Sequence, residues 1–490
     1  MNITDILREQ AQRNPDATAI VRVGGRRISY AELDRVVDSL ARRALDRGLQ
    51  PGQVAAIDTR WPYLFFALSL ALARIGVASA AADLQDHMAD VRFRFLDEDP
   101  PAGSRILRMS HDWFEPSAAG IDVAPVPSHQ DGEALCRLLA SSGTTGRPKQ
   151  IPTSHRQTLL RLEAKIRAIP LPPSPCQIYA SGPLGGYGYR EALRMLKAGG
   201  TTVFVGSVED LLAAIPRYGV NALVAGPALL QQIAAARPAD AVPFPTLAMV
   251  EVGGSHLPLP VLQAVRAKLC PNVISAYGST ECGNIASVRL DAADWNPEFV
   301  GRVYDWVEIE AVDADDRPLP PGSEGEIRIR GKTCADSYYR DPEASAKVFR
   351  NGWFHTGDLG SVTADRRLFI VGRIDELINV GGDKFSPQNI EGVLLAISGI
   401  VDAAAFAMPD ADGIPQVWAA IVAPGPLDLG SVFRTCGKEL ETGAPKFIVK
   451  VDALPRNEGG KILRGAVAEL ARARQAGSEP RPVSASVATR

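Results

Sequence analysis

Cysteine is scarce and scattered in this sequence. The six cysteines (Cys136, Cys176, Cys270, Cys282, Cys334, Cys436) include no C-x-x-C pair, and the six histidines are equally dispersed. Neither a disulfide framework nor a zinc site is signalled, and a reduced cytoplasm is the expected home. An excess of charge of either sign is lacking too, since 53 basic and 56 acidic residues are interspersed for a formal net charge of -3. That balance gives no electrostatic reason to expect a nucleic acid or an anionic membrane as partner. The longest apolar stretch, Leu64 to Ala82, is broken by Arg74 and Gly76, which predicts a buried helix turning into a strand and no membrane span. Met1 to Asp5 lacks a basic region followed by an apolar one, so no secretory signal is expected.

What is present points to a large α/β protein. A chain of 490 residues exceeds one ordinary core and predicts a large domain with at least one smaller one. Leu33, Val36, Val37, Leu40, Ala41 and Ala44 recur at helical spacing after the strand-like Thr18 to Val23. Strands and helices then alternate: Val54 to Asp58 with Pro62 to Arg74, Thr201 to Val205 with Val208 to Ile215, Ala222 to Ala225 with a helix from Pro227, and Thr246 to Val252 with Pro258 to Leu269. The run ends in the strand Val273 to Ala276. Such alternation implies parallel sheets covered by helices, with ligands bound at the carboxyl ends of strands. Three strand ends carry glycine-bearing loops that let backbone approach a ligand: Gly226-Pro227, Gly253-Gly254-Ser255 and Tyr277-Gly278-Ser279-Thr280-Glu281.

Beyond Gly301 the pattern shifts to shorter strands such as Val307 to Val312 and Glu326 to Arg330, the mark of a β-rich subdomain. A helix from Pro387, strands at Ala403 to Ala407 and Val417 to Val422, and a helix before Pro445 make a small α+β domain. The expected division is 1–374, 375–475 and a disordered tail over 476–490, rich in Ser, Pro and Arg.

The stretch Ser141-Ser142-Gly143-Thr144-Thr145-Gly146-Arg147-Pro148-Lys149 follows the strand-like Leu135 to Ala140. Its glycines allow a tight bend, its hydroxyls and backbone N–H groups are donors, and Lys149 adds a point charge, which together suit a polyphosphate. It is not the common P-loop, because Pro148 precedes the lysine and Gln150 follows it. Taken alone it is equally an ordinary surface turn. Four further stretches follow in order: Tyr277 to Glu281, Trp353-Phe354-His355-Thr356-Gly357-Asp358, Gly372-Arg373-Ile374-Asp375-Glu376, and Asn457-Glu458-Gly459-Gly460-Lys461.

These five stretches, over roughly residues 140 to 465, resemble the signatures of the adenylate-forming superfamily of acyl-CoA synthetases, adenylation domains and luciferases. The resemblance implies that ATP is cradled by Ser141, Ser142, Gly143, Thr144, Thr145, Gly146 and Lys149, with Gly253, Gly254, Ser255 and Gly278 nearby. It implies that Tyr277 stacks on adenine, Thr280 reaches the α-phosphate, Glu281 helps hold Mg²⁺, Asp358 accepts the ribose hydroxyls and Arg373 backs them. Lys461 corresponds to the lysine that bridges the substrate carboxylate and the α-phosphate. Asp375 matches the hinge about which a small domain rotates, and Gly381 and Gly382 belong to the face that guides a thiol, from coenzyme A or from a carrier-protein phosphopantetheine.

Two departures stand out. Ser181-Gly182-Pro183-Leu184-Gly185-Gly186-Tyr187-Gly188 occupies the place where the family has an aromatic-His or aromatic-Asp pair. The missing Asp argues against an α-amino acid, whose ammonium needs a carboxylate. Gly185, Gly186, Tyr187 and Gly226 are expected to border the acid, either as a widened pocket or with Tyr187 folded in. Asp336-Ser337-Tyr338-Tyr339 replaces the usual Gly-Tyr and is expected to affect packing only.

The sequence thus reads as an ATP-dependent acid–thiol ligase acting on a small-molecule carboxylic acid of unspecified class, with coenzyme A or a carrier protein as acceptor. A P-loop-type ATPase is disfavoured by the missing Gly-Lys-Ser/Thr, and a non-catalytic nucleotide binder by the presence of Lys149, Glu281, Asp358 and Lys461.

Overall fold

The protein was analysed as a computed structural model, which describes all residues except 97, 102, 116–123, 142–148, 181–184, 294, 411–412, 457–459 and 477–490. It divides into two compact units, one of Met1–Leu257 with Val261–Ile370, the other of Pro258–Pro260 with Val371–Arg490. The division therefore falls between Ile370 and Val371, within the strand Arg367–Arg373, where the sequence reading placed it after residue 374. Of the expected tail over 476–490, Ala476 ends the helix Arg464–Ala476, and 477–490 lie outside the described residues.

The first unit is built on two sheets. In the larger, of fourteen strands, Thr18–Val21, Thr201–Val203, Cys176–Tyr179, Ala222–Ala225, Met249–Gly253 and Val273–Ser279 lie side by side in parallel. Val273–Ser279 then pairs antiparallel with Gly283–Leu290, and that strand with Phe299–Val303. The expected β-rich part, including Gly325–Arg330 and Trp353–Val362, is thus continuous with the parallel half rather than set apart from it. The smaller sheet has six strands, parallel except for the hairpin of Leu135–Ala140 with Gln150–Ser154.

Local chemistry explains the helices that cover these sheets. Ser29 caps the helix Tyr30–Asp46 by accepting the Glu32 N–H at 3.2 Å while Glu32 accepts the Ser29 N–H at 2.7 Å, which closes a capping box. The apolar stretch from Leu64 forms the helix Pro62–Arg74 and the strand Ala78–Ala81, with every helix residue after Pro62 buried. Its last residue, Arg74, has no exposed surface and donates to Asp34 and Asp38, each at 2.6 Å. The arginine is admitted to the core because two carboxylates meet it. No helix among the described residues is long and apolar enough to cross a membrane.

In the second unit, Asp402–Pro409, Pro415–Val422 and Phe447–Lys450 form a three-stranded sheet. Alternate residues face opposite sides, as strand pleating requires. Ala403, Ala405, Val417, Ala419 and Ile421 pack on Ile390, Leu394, Val432 and Cys436 of the helices Pro387–Leu395 and Leu429–Leu440. Ala404, Phe406, Trp418 and Ala420 pack on Val467 and Ala471 of the helix Arg464–Ala476.

Two histidines make the first unit acid-sensitive, His256 and His155 both being pulled from 6.5 down to about 4 by burial. His155 is fully buried, its Nδ1 accepts the Ile3 N–H at 3.2 Å, and burial pulls its pKa from 6.5 down to about 4. The unfolded chain therefore binds a proton that the folded chain refuses, and stability falls as pH drops from 6.5 to 4. In His155→Gln, urea unfolding at pH 7 and pH 4.5 should show an acid loss smaller than the wild type's by roughly 2–3 kcal/mol. Equal acid losses in the two proteins would rule this out.

Candidate active site

The parallel registers Val224↔Tyr179, Ala225↔Val252 and Gly253↔Ala276 align the carboxyl ends of four strands on one edge of the large sheet, where loops converge on ligands. A Cβ at Gly226 would lie 3.7 Å from the Gly253 carbonyl oxygen, and one at Gly253 would lie 3.2 Å from the Tyr187 ring. The structure thus brings Tyr187 and Gly226, expected at the acid, against Gly253, expected near ATP. Gly254 and Ser255 follow directly on the strand Met249–Gly253.

Next to them, Val273–Ser279 and Gly283–Leu290 form a hairpin whose turn carries Thr280 and Glu281. A Cβ at Gly278 would stand 2.2 Å from the Gly283 carbonyl oxygen, so only glycine fits there. The Tyr277 hydroxyl donates to the Asp358 carboxylate on the strand Trp353–Val362 of the same sheet, which unites two residues that lie 81 positions apart. The Asp358 N–H in turn donates to Thr356 Oγ1 at 3.0 Å.

The turn is held by partners that the sequence did not reveal. Buried Arg161 donates Nε to the Thr333 carbonyl at 2.7 Å, one terminal nitrogen to the Thr280 carbonyl at 3.2 Å, and the other to the Glu281 carbonyl. Its pKa is lowered to about 9, chiefly by burial and further by Arg190, with Glu281 opposing. The Tyr338 hydroxyl donates to Glu281 Oε1 at 3.1 Å, and the Ala335 N–H to the Glu281 carbonyl at 2.8 Å. The Asp336–Tyr339 departure therefore corrects the expectation of a packing role, because its Tyr338 orients the candidate metal carboxylate. Glu281 is a nearly buried residue whose Oε2 takes no protein donor among the described residues and is not sealed from solvent, and a carboxylate oxygen of this kind suits a hard divalent cation.

The cysteines bring a second correction. Cys282, next to Glu281, is bonded to Cys334 as a disulfide across 52 positions. Spacing could not signal it, since strand pairing brings the two together. The other four cysteines are free and buried.

Of the glycine- and hydroxyl-rich loop, Ser142, Gly143, Thr144, Thr145 and Gly146 lie outside the described residues. Its ends are secured: the Ser141 N–H donates to the Lys149 carbonyl at 2.8 Å, and Ser141 Oγ accepts the Lys149 N–H at 2.9 Å. Lys149 Nζ is 3.3 Å from Asp341 Oδ2, with 44% of its side chain exposed.

Tyr187 takes the folded-in alternative. Gly185 caps and Gly186 begins the helix Gly186–Ala198, and the Tyr187 hydroxyl donates to Glu251 Oε1 while accepting from Lys165 Nζ at 3.2 Å. Glu251 and Glu191 are fully buried and shared by Lys165 and Arg194, with Lys165 Nζ 2.6 Å from Glu251 Oε1 and Arg194 NH1 3.2 Å from Glu251 Oε2. Burial works against ionisation of Glu251, yet Lys165 and Arg194 hold its carboxyl below the usual range, while burial and Glu251 push the Tyr187 phenol well above its own. No motif pointed to this cluster, because buried charges on separate elements leave no local pattern.

The remaining candidates lie in the second unit. Arg373 Nε is 3.1 Å from Asp375 Oδ1, so the ribose-backing candidate and the hinge candidate form an ion pair. Gly381 and Gly382 make the turn of the hairpin Ile378–Val380 with Asp383–Phe385, where the Gly382 N–H donates to Asn379 Oδ1 at 3.2 Å. Lys461 sits beside the bridge of Arg456 with Ile462, and Arg456 braces the segment by donating to the Gly460 carbonyl at 2.6 Å and to Asp402 Oδ1 at 2.7 Å.

Comparison with known proteins gives the site a context. The model of the family described as AMP-binding enzyme matches residues 7–102 and 91–339. The chain is 28% identical to the probable CoA ligase CCL9 of Humulus lupulus, covering 96% of both chains. It is 29% identical to a feruloyl-CoA synthase of Amycolatopsis sp, covering 94% and 96%. It is 28% identical to the salicyl-AMP ligase / salicyl-S-ArCP synthetase of Mycobacterium tuberculosis, covering 94% and 89%. It shares its fold with ATP-bound MatB from Rhodopseudomonas palustris at a TM-score of 0.83 and 24% identity, covering 96% and 99%. A similar match joins it to the anthranilate CoA ligase AuaEII in complex with anthranoyl-AMP, at 0.83 and 20%, covering 97% and 98%.

The Cys282–Cys334 bond is open to direct test. Alkylation of denatured, unreduced protein should modify the four free cysteines, and alkylation after reduction all six. Six modified cysteines without reduction would show the pair to be two thiols.

Proposed function

Because the chain belongs to the AMP-binding enzyme family, we propose that it activates a carboxylic acid with ATP as an acyl-adenylate and then transfers the acyl group to a thiol, most simply that of coenzyme A. The observation that carries this reading is the union of Tyr277, Glu281 and Asp358 around one hairpin, with Glu281 Oε1 held by Tyr338. Relatives named as CoA ligases support the acceptor.

The chemistry assigns each group a task. A carboxylate is a poor electrophile, so its oxygen attacks the α-phosphorus, the bond to pyrophosphate breaks, and a mixed anhydride remains. Two anions approach one another in that step, and fixed cations must offset the repulsion. We assign Tyr277 to the adenine face, Asp358 to the ribose as an acceptor-only carboxylate, Thr280 to the α-phosphate, and Ser141 with Lys149 to the outer phosphates. Glu281 would hold Mg²⁺, which supplies charge neutralisation on the phosphate oxygens. Lys461 would bridge the acid and the α-phosphate, and a rotation about Asp375 would replace it with the Gly381-Gly382 turn for thiol attack. We place the reaction in the cytoplasm, where ATP is available.

A carrier-protein phosphopantetheine is the second acceptor to weigh, given the relative named as a salicyl-S-ArCP synthetase. The surface lysines Lys384, Lys438, Lys446 and Lys450 are exposed and suit the phosphates of coenzyme A and an acidic carrier alike. Thioester formation with coenzyme A against a phosphopantetheinylated carrier separates the two.

The reading is tested by acid-dependent ATP–pyrophosphate exchange over short-chain, long-chain, aryl and amino acids. One acid class should exchange. Lys461→Ala should lower that exchange by about 10²–10³-fold, while thioester formation from supplied acyl-adenylate stays within a few-fold. Equal loss in both assays would remove Lys461 from the adenylation step.

A further inference from the structure

The proposed reaction draws an anionic acid into the first unit, and one cation there has no anion to meet it. Arg190 lies on the helix Gly186–Ala198, four residues after Gly186 and three after Tyr187, so the three share one face of the helix at its start. Its guanidinium carbon is 5.9 Å from the centre of the Tyr187 ring. On its other side, NH1 would be 3.6 Å from a Cβ built at Gly283, just beyond the Thr280–Glu281 turn. Arg190 therefore spans the interval between the residues expected to border the acid and the turn expected to serve the phosphate.

The neighbouring cations are accounted for except this one. Lys165 and Arg194 are balanced by Glu191 and Glu251. Arg161 spends its donors on three carbonyl oxygens. Arg190 makes no hydrogen bond or ion pair with any described residue, and its NH1 is sealed from solvent without an acceptor. Burial lowers its pKa, with Tyr187 and Glu191 opposing, yet a guanidinium remains charged. Arg190 is half-buried, so the rest of its fork stays reachable, and a partly desolvated guanidinium left unmatched costs a protein stability unless a ligand completes it. Its planar fork matches a carboxylate through two parallel hydrogen bonds.

We propose that Arg190 receives a second carboxylate on the acid, so that the enzyme activates a short-chain or aromatic dicarboxylic acid. One carboxylate attacks the α-phosphorus and releases pyrophosphate, while the distal carboxylate stays ionised in the guanidinium fork and is chemically unchanged. The Tyr187 ring, seated against Gly253, closes the pocket toward Glu251 and favours a short or flat acid over a long chain. This inference rests on the acid-activating reading above.

The test is ATP–pyrophosphate exchange by the full chain with matched pairs, succinate and isophthalate against their monomethyl esters. In the wild type at least one diacid should exceed its ester by about 100-fold in kcat/KM, carried mainly by KM. In Arg190→Ala that ratio should collapse toward about 1, and in Arg190→Lys, which keeps the charge but loses the fork, it should fall in between. Circular dichroism and Tm of each variant verify folding, and if the alanine variant fails to fold, the lysine variant carries the comparison. An ester that matches its diacid in the wild type overturns the inference while leaving acid activation standing. So does equal loss for both members of a pair in the variants, since Arg190 would then serve the reacting carboxylate or a phosphate. Exchange with no acid of any class brings down the activation reading, and the inference with it.

Discussion

Two fully buried carboxylates, Glu191 and Glu251, shared between Lys165 and Arg194, are the constraint on which the site's geometry depends. Each of the four comes from a position that must be aligned before any charge is matched: Lys165 from the helix His155–Ala168, Glu191 and Arg194 from the helix Gly186–Ala198, and Glu251 from the strand Met249–Gly253. Burying four ions costs so much desolvation that the cluster is poor evidence of net stability. Loss of a single member would strand an opposite charge and cost about 3–5 kcal/mol. Such an arrangement tolerates one register of helices on sheet and penalises the others. Tyr187 and Gly253 meet because that register is fixed.

Much of this was legible in the sequence, for reasons that differ by element. Helical spacing of Leu33, Val36, Val37 and Leu40 pointed to the helix that the structure shows as Tyr30–Asp46, whose start the capping box of Ser29 with Glu32 fixes. The Tyr277-to-Glu281 stretch was legible because a tight turn with a steric demand for glycine leaves a compact motif. Its supports were not. Arg161 lies 120 positions from Glu281, and Tyr338 lies 57, so both act through contacts that no periodicity encodes. The disulfide was hidden for the same reason, since cysteine spacing signalled no disulfide framework. Arg190 was hidden differently, because an arginine after Tyr-Gly-Tyr looks like any helical surface charge until its partners are counted.

The division of the chain distributes the chemistry. Residues proposed for adenine, ribose and metal lie on the first unit, whereas Arg373, Asp375, Gly381, Gly382 and Lys461 lie on the second. Within the second unit the Lys461 segment is braced by Arg456 on Asp402, so the lysine is presented from a fixed platform rather than a loose terminus. The ion pair of Arg373 with Asp375 sits five residues or fewer from the boundary after Ile370, where a change of backbone angle would break or remake it.

The seating of the Tyr187 ring on Gly253, at 3.2 Å from where a Cβ would stand, has a consequence for how the acid pocket proposed above would diversify. The two positions share one volume. A methyl group at 253 has room only if the ring at 187 shrinks or withdraws, and a smaller residue at 187 leaves a void unless 253 grows. Single substitutions at either position should therefore look deleterious, whereas exchanges made at both can be tolerated. A library that varies one residue at a time would miss the acids this scaffold could come to accept, and one that trades bulk across the pair would reach them.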